Sequence, residues 1–164
     1  MVKFYERAAE QLSGYIKQVA WLNTAPNPPP SVKTSQATPN KTMTRLQQLE
    51  ANARTPELPD AGPGAYLVGY LFDAGPVGQG GMGPATISHN EIAAWQNNTG
   101  IELTAWEART LRALSADYIA ASKDAQAHDA PPPYTAEPEP EHRAAVANQV
   151  RGIFAARAQP TQRH

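Results

Sequence analysis

Four histidines, a glycine-rich run and a few carboxylates are the residues of this chain whose chemistry could reach beyond packing. His89, His128, His142 and His164 are the side chains suited to holding zinc or moving a proton near neutral pH. They stand in four separate contexts, with no acidic or second histidine partner at ligand spacing, so they read as surface or capping residues. The run Gly75-Pro76-Val77-Gly78-Gln79-Gly80-Gly81-Met82-Gly83-Pro84 offers backbone amides that could cradle a phosphate. It lacks the Gly-Lys-Ser/Thr ending of a phosphate loop and closes on Pro84, which has no amide hydrogen, so it reads as a flexible connector. Glu91, Glu102, Glu107 and Asp117 could in principle pair for acid-base work, but Glu91 and Glu107 stand three residues after Ser88 and Thr104, where each completes a helix cap. With no cysteine there is no thiolate ligand, disulfide or Cys nucleophile. No nucleophile, base and orienting group come together, and the expectation is a non-enzyme with no catalytic residue, metal or cofactor.

The elements that hold these residues are helical by their spacing. Between Val2 and Leu22, Tyr5, Ala8, Ala9, Leu12, Tyr15, Ile16, Val19 and Leu22 recur at three and four, and Pro26 with Pro28 to Pro30 ends the helix. Met43, Leu46, Leu49 and Ala53 predict a short helix before Pro56. The apolar run Ala65 to Phe72 fits a strand or a buried helix, and Tyr66, Tyr70 and Asp73 at helical spacing favour the helix. Ser88 opens another, which Asn98-Thr99-Gly100 stops, and Thr104 opens the next. The two form a tight corner whose faces centre on Trp95 and Trp106, with Leu111 and Leu114 alongside them as core.

Composition divides the chain around that corner. Of 16 prolines, seven lie between Pro26 and Pro59 and six between Pro131 and Pro160, so regular structure is interrupted in the flanks. The predicted fold is all-α: a small helical core with amphipathic N- and C-terminal helices on Pro-rich tethers. The expected segments are an N-terminal amphipathic helix (1–23), a Pro/Ser/Thr-rich linker with a short helix (24–57), a core (58–122), a Pro-rich tether (123–141) and a C-terminal helix and tail (142–164). Phe4, Leu12, Ile16, Val19 and Trp21 on the first helix, and Val150, Ile153 and Phe154 on the last, are apolar residues without an obvious local partner. They are the expected contacts to other protein chains.

Net charge is -1, and it divides into +2 over residues 1–60 (seven basic, five acidic), -3 over 61–127 (three basic, six acidic) and zero over the rest. No segment is basic enough to hold nucleic acid by charge alone. The pair of helices after Ser88 has the length and turn of a helix-turn-helix, but Arg109 and Arg112 sit among Glu107 and Asp117, a poor phosphate surface. About 18 consecutive apolar residues, the length of a membrane span, occur nowhere, and the N-terminus lacks the uninterrupted apolar stretch of a signal peptide. A soluble, unexported protein is expected, one that binds other protein chains and has neither a nucleic-acid nor a membrane partner.

Leu58-Pro59, Tyr66-Leu67, Gly83-Pro84, Ile87-Ser88, Glu91-Ile92-Ala93-Ala94-Trp95, Thr99-Gly100, Thr104-Ala105-Trp106-Glu107-Ala108, Leu111 and Leu114 together resemble a region of the tail assembly chaperones of long-tailed bacteriophages. That family often reads Gly-Pro, a Ser or Thr cap, Glu-Ile-x-Ala-Trp, Thr-Gly and Pro-Trp-Glu-Val; here Ala105 and Ala108 stand where it favours Pro and Val. The resemblance spans residues 58–120 and rests on packing motifs. It implies a protein of the host cytoplasm that keeps tail-tube and tape-measure proteins soluble until the tail polymerises. A structural or decorating subunit whose arms wrap neighbouring virion subunits, with the virion as its location, is the first alternative; a helix-turn-helix regulator is the second. Homo-oligomerisation is left open.

Overall fold

The computed structural model describes residues 2–29 and 43–136. The expected C-terminal helix with Val150, Ile153 and Phe154 lies outside them, as do residues 30–42 of the linker and 137–141 of the tether. Among the described residues the chain is mostly helical, with α1 Val2–Asn23, α2 Arg45–Ala51, α3 Tyr66–Ala74, α4 His89–Thr99 and α5 Ala105–Asp124. A 3-10 turn, Gly62–Gly64, leads into α3. The all-α expectation needs correcting at the glycine run, where β1 Gly78–Gly80 and β2 Gly83–Ala85 pair antiparallel. Neither strand has the β-branched or aromatic alternation that marks one in a sequence, so only the backbone pairing reveals it.

Local sequence explains where the helices start. Ser88 Oγ accepts from Glu91 N at 3.2 Å while Glu91 Oε2 accepts from Ser88 N at 2.7 Å, and Thr104 with Glu107 repeats the exchange. Thr44 and Gln47 form a third such box at α2, which the expectation for that helix did not include. α4 ends at Gly100, whose φ of 72° is the left-handed conformation that glycine adopts without strain.

The N-terminal helix is not an arm beside the core but its central strut. α1 makes its most extensive contact with α5, and the two run in the same direction. Tyr5 meets Trp106 near their starts, Ser13 Oγ donates to Asp117 Oδ2 at 2.6 Å midway, and Trp21 Nε1 donates to Ala130 O at 3.0 Å past the end of α5. Leu12 and Ile16 join Leu67 and Leu71 of α3, Ile87, Ile92 of α4, and Leu111 and Leu114 of α5 in one apolar cluster. Leu12 and Ile16 are fully buried, so they are corrected from contacts with other chains to core residues of this one. The periodicity that marked them shows an apolar face without showing what covers it. Gly64 lets the 3-10 turn press on α1, since a Cβ there would lie 2.7 Å from Leu12 Cδ1.

Parallel packing brings two helix C-termini, each the negative end of its dipole, to the same place. Arg45, only 8% exposed, lies between them. Its Nη1 donates to Trp21 O at 3.4 Å and Thr24 O at 3.3 Å, its Nη2 donates to Ala127 O at 3.1 Å, and its guanidinium stacks 4.6 Å from the centre of the Trp21 ring. Beyond α5 the chain straps back over α1: Gln126 O accepts from Asn27 N, and Gln18 Oε1 accepts from Tyr134 N. Part of the expected tether is therefore attached to the core. Buried Ser115 of α5 fastens the hairpin side, donating to Pro76 O at 2.8 Å and accepting from Ile87 N at 3.0 Å.

Candidate protein-binding surface

On α1 Phe4, Ala8, Leu12, Ile16 and Ala20 follow one another four apart in a stripe that winds slowly round the helix, each residue beside the next. Ala8, Leu12, Ile16 and Ala20 are buried, but Phe4, the next step on the same stripe, is 57% exposed. The core-facing surface of α1 thus continues past the end of the core. Phe4 packs edge-on against Tyr5, with ring centres 5.6 Å apart, and Tyr5 lies 4.9 Å from the half-buried Trp106. Tyr66 opens α3 on the same side, and the four aromatics surround a 280 Å³ groove with Pro63 in its wall. A 240 Å³ groove continues it past Phe4 and Pro63 toward Arg7 and Asp60.

The groove carries one polar feature. Tyr66 Oη donates to Glu107 Oε1 at 2.5 Å, which pushes the phenol up to about 12 and holds the carboxyl below its ordinary range. Glu107 therefore stays ionised and serves two partners at once, the Tyr66 hydroxyl and the Thr104 amide. The bonded pair orients the polar rim of the groove. Glu91 is likewise held below its usual range by the Ser88 amide.

The aromatic series continues inward. Tyr70 lies between Tyr66 (5.5 Å) and Trp95 (5.2 Å), and Trp95 Nε1 donates to Asp73 Oδ2 at 2.7 Å. Trp95, Leu111 and Leu114 are buried, while Trp106 straddles core and groove. Of the expected contact residues, Phe4 lies at this groove. Val19 and Trp21 are half-buried, with Trp21 tied to Ala130 and Arg45 at the opposite end of α1. Tyr66 was not among those contacts, because the sequence shows its helix but not that α1 leaves its ring uncovered. His89 Nε2 sits 3.1 Å from Arg112 Nη1, and Arg112 Nε donates to Ile87 O, so that arginine is engaged within the fold. Among the described residues no three His, Asp or Glu side chains converge as a metal site, and no helix is long and apolar enough to cross a membrane.

No protein-family model matches this chain, and neither the curated proteins nor the solved structures compared with it give a match.

Proposed function

We propose that this chain is a non-enzymatic, protein-binding factor of phage tail assembly, which holds apolar segments of tail-tube and tape-measure proteins in the infected cell before the tail polymerises. The observation that carries this reading is the exposed aromatic end of α1 and α3, where Phe4 extends a buried stripe into solvent beside Tyr5, Tyr66 and Trp106. An apolar surface continuous with a core, and lined by rings of few rotamers, suits helical segments of another chain. The motif resemblance over residues 58–120 supplies the identity of the clients.

Affinity capture of the tagged chain co-expressed with tail proteins from its own genomic neighbourhood, with mass spectrometry of the eluate and of purified particles, tests the proposal. Tube or tape-measure protein in the eluate, with the chain absent from particles, supports it. Stoichiometric presence in particles makes the chain a structural subunit and overturns the transient role. Salt-sensitive capture of duplex DNA in place of protein makes it a regulator.

A further inference from the structure

A second groove lies at the opposite end of α1, where the ends of α1 and α5 meet the strap 127–133. Its volume is 480 Å³, and most of its lining is apolar, including Ala120, Ala121 and Ala125 and the edge of Trp21. Two carboxylates, Asp124 and Asp129, also line it and are exposed. Asp124 is the last residue of α5, where a negative charge adds to the negative end of the helix dipole and disfavours the fold. Neither aspartate is in an ion pair among the described residues. Lys17 lines the groove as well, its Nζ 3.9 Å from Asp117 Oδ1, while Arg45 faces three carbonyls behind the Trp21 ring; one lysine against two aspartates leaves the lining net negative.

We propose that this groove seats an arginine or lysine side chain of a partner polypeptide, with its aliphatic stem over the alanines and its charged head at Asp124 and Asp129. Charge complementarity selects the occupant. A purely apolar side chain would leave two carboxylates facing apolar surface, and an acidic one would be repelled. A long basic side chain is the natural amino acid that pairs methylenes with a cation, which matches alanines beside aspartates. The proposal deepens the protein-binding reading and rests on it, adding that the client carries a basic residue within an apolar stretch.

The test is fluorescence anisotropy on the full chain, using a short labelled peptide with arginine and leucine at helical spacing and a counterpart with glutamate replacing arginine. The arginine peptide is expected to bind, more weakly as salt rises, and the glutamate peptide is not. Asp124→Asn with Asp129→Asn should weaken binding on the order of tenfold, the size of two exposed ion pairs, and flatten its salt dependence. Neither change touches the core, and Asp124→Asn relieves the helix end, so folding is retained. Ala121→Leu, which fills the groove, should weaken binding at unchanged charge. Phe4→Ser should not, which separates failure here from failure of the aromatic surface. Equal binding by wild-type and Asn-substituted chains overturns the proposal, as does free arginine amide competing as well as the peptide. Binding that emerges only after Arg151→Glu and Arg157→Glu identifies the chain's own tail as the occupant and also overturns it.

Discussion

Arg45→Met keeps most of the aliphatic stem and removes the charge that joins the ends of α1 and α5. Wild-type Arg45 makes hydrogen bonds of 3.1, 3.3 and 3.4 Å to three carbonyls and stacks 4.6 Å from the Trp21 ring centre. The shortest bond, from a charged donor, contributes about 1.5 kcal/mol, and the two longer ones roughly 0.5 kcal/mol each. The guanidinium over a half-buried indole adds about 1 kcal/mol. The cost of desolvating the cation, visible in the lowered Arg45 pKa, offsets part of this sum and leaves a net loss on the order of 2.5 kcal/mol. In a chain of this size that loss lowers the midpoint by roughly 8 °C in scanning calorimetry. Arg45→Lys keeps the charge but lacks the planar fork that reaches two helix ends, and should fall between wild type and the Met variant. A Met variant melting within about 2 °C of wild type would refute the idea that this cation compensates two converging helix dipoles.

Leu12→Ala should cost about 2–5 kcal/mol in denaturant unfolding, whereas the same change on a free arm would cost almost nothing. Ser115→Ala leaves Pro76 O and buried Ile87 N without their partner and should cost about 1–3 kcal/mol, measured the same way. Gly64→Ala places a methyl 2.7 Å from Leu12 Cδ1 and should destabilise by about 1–3 kcal/mol, partly rescued by Leu12→Val. Tyr66 should titrate near 12 by ultraviolet absorbance. Its raised pKa means that its contribution to stability is complete below pH 10 and is lost as pH rises through 12; the lowered pKa of Glu107 means that its contribution is complete above 4.5 and is lost as pH falls. Tyr66→Phe should return Glu107 toward its ordinary value in an NMR titration.

What the sequence showed depended on how far apart the interacting residues lie. The caps at Ser88 and Thr104 and the stop at Gly100 are contained within a few neighbours, so spacing alone revealed them. The amphipathic face of α1 was equally visible, but its cover is α5, some hundred residues further on, and nothing local distinguishes a face covered from within from one awaiting a partner. Spacing alone therefore assigns Leu12 and Ile16 to another chain although they are buried in this one, while Phe4, on the same stripe, lies at the proposed surface. Arg45 and Ser115 were invisible for the same reason, since each acts on carbonyls or amides remote in sequence. The Asp124 and Asp129 groove forms only where the strap returns to Trp21.

Capture of tail-tube and tape-measure proteins by the wild-type chain, beside a Phe4→Ser, Tyr66→Ser variant, tests the central claim most directly. Phe4 and Tyr66 lie outside the buried cluster, but Tyr66→Ser also removes the Glu107 hydrogen bond and the Tyr70 contact, so the variant should melt lower while still folding, and capture is compared below both transitions. The wild type is expected to retain tube or tape-measure protein and the variant to lose it at matched concentration. Equal capture by both, with folding intact, would contradict the assignment of client binding to the aromatic end of α1 and α3.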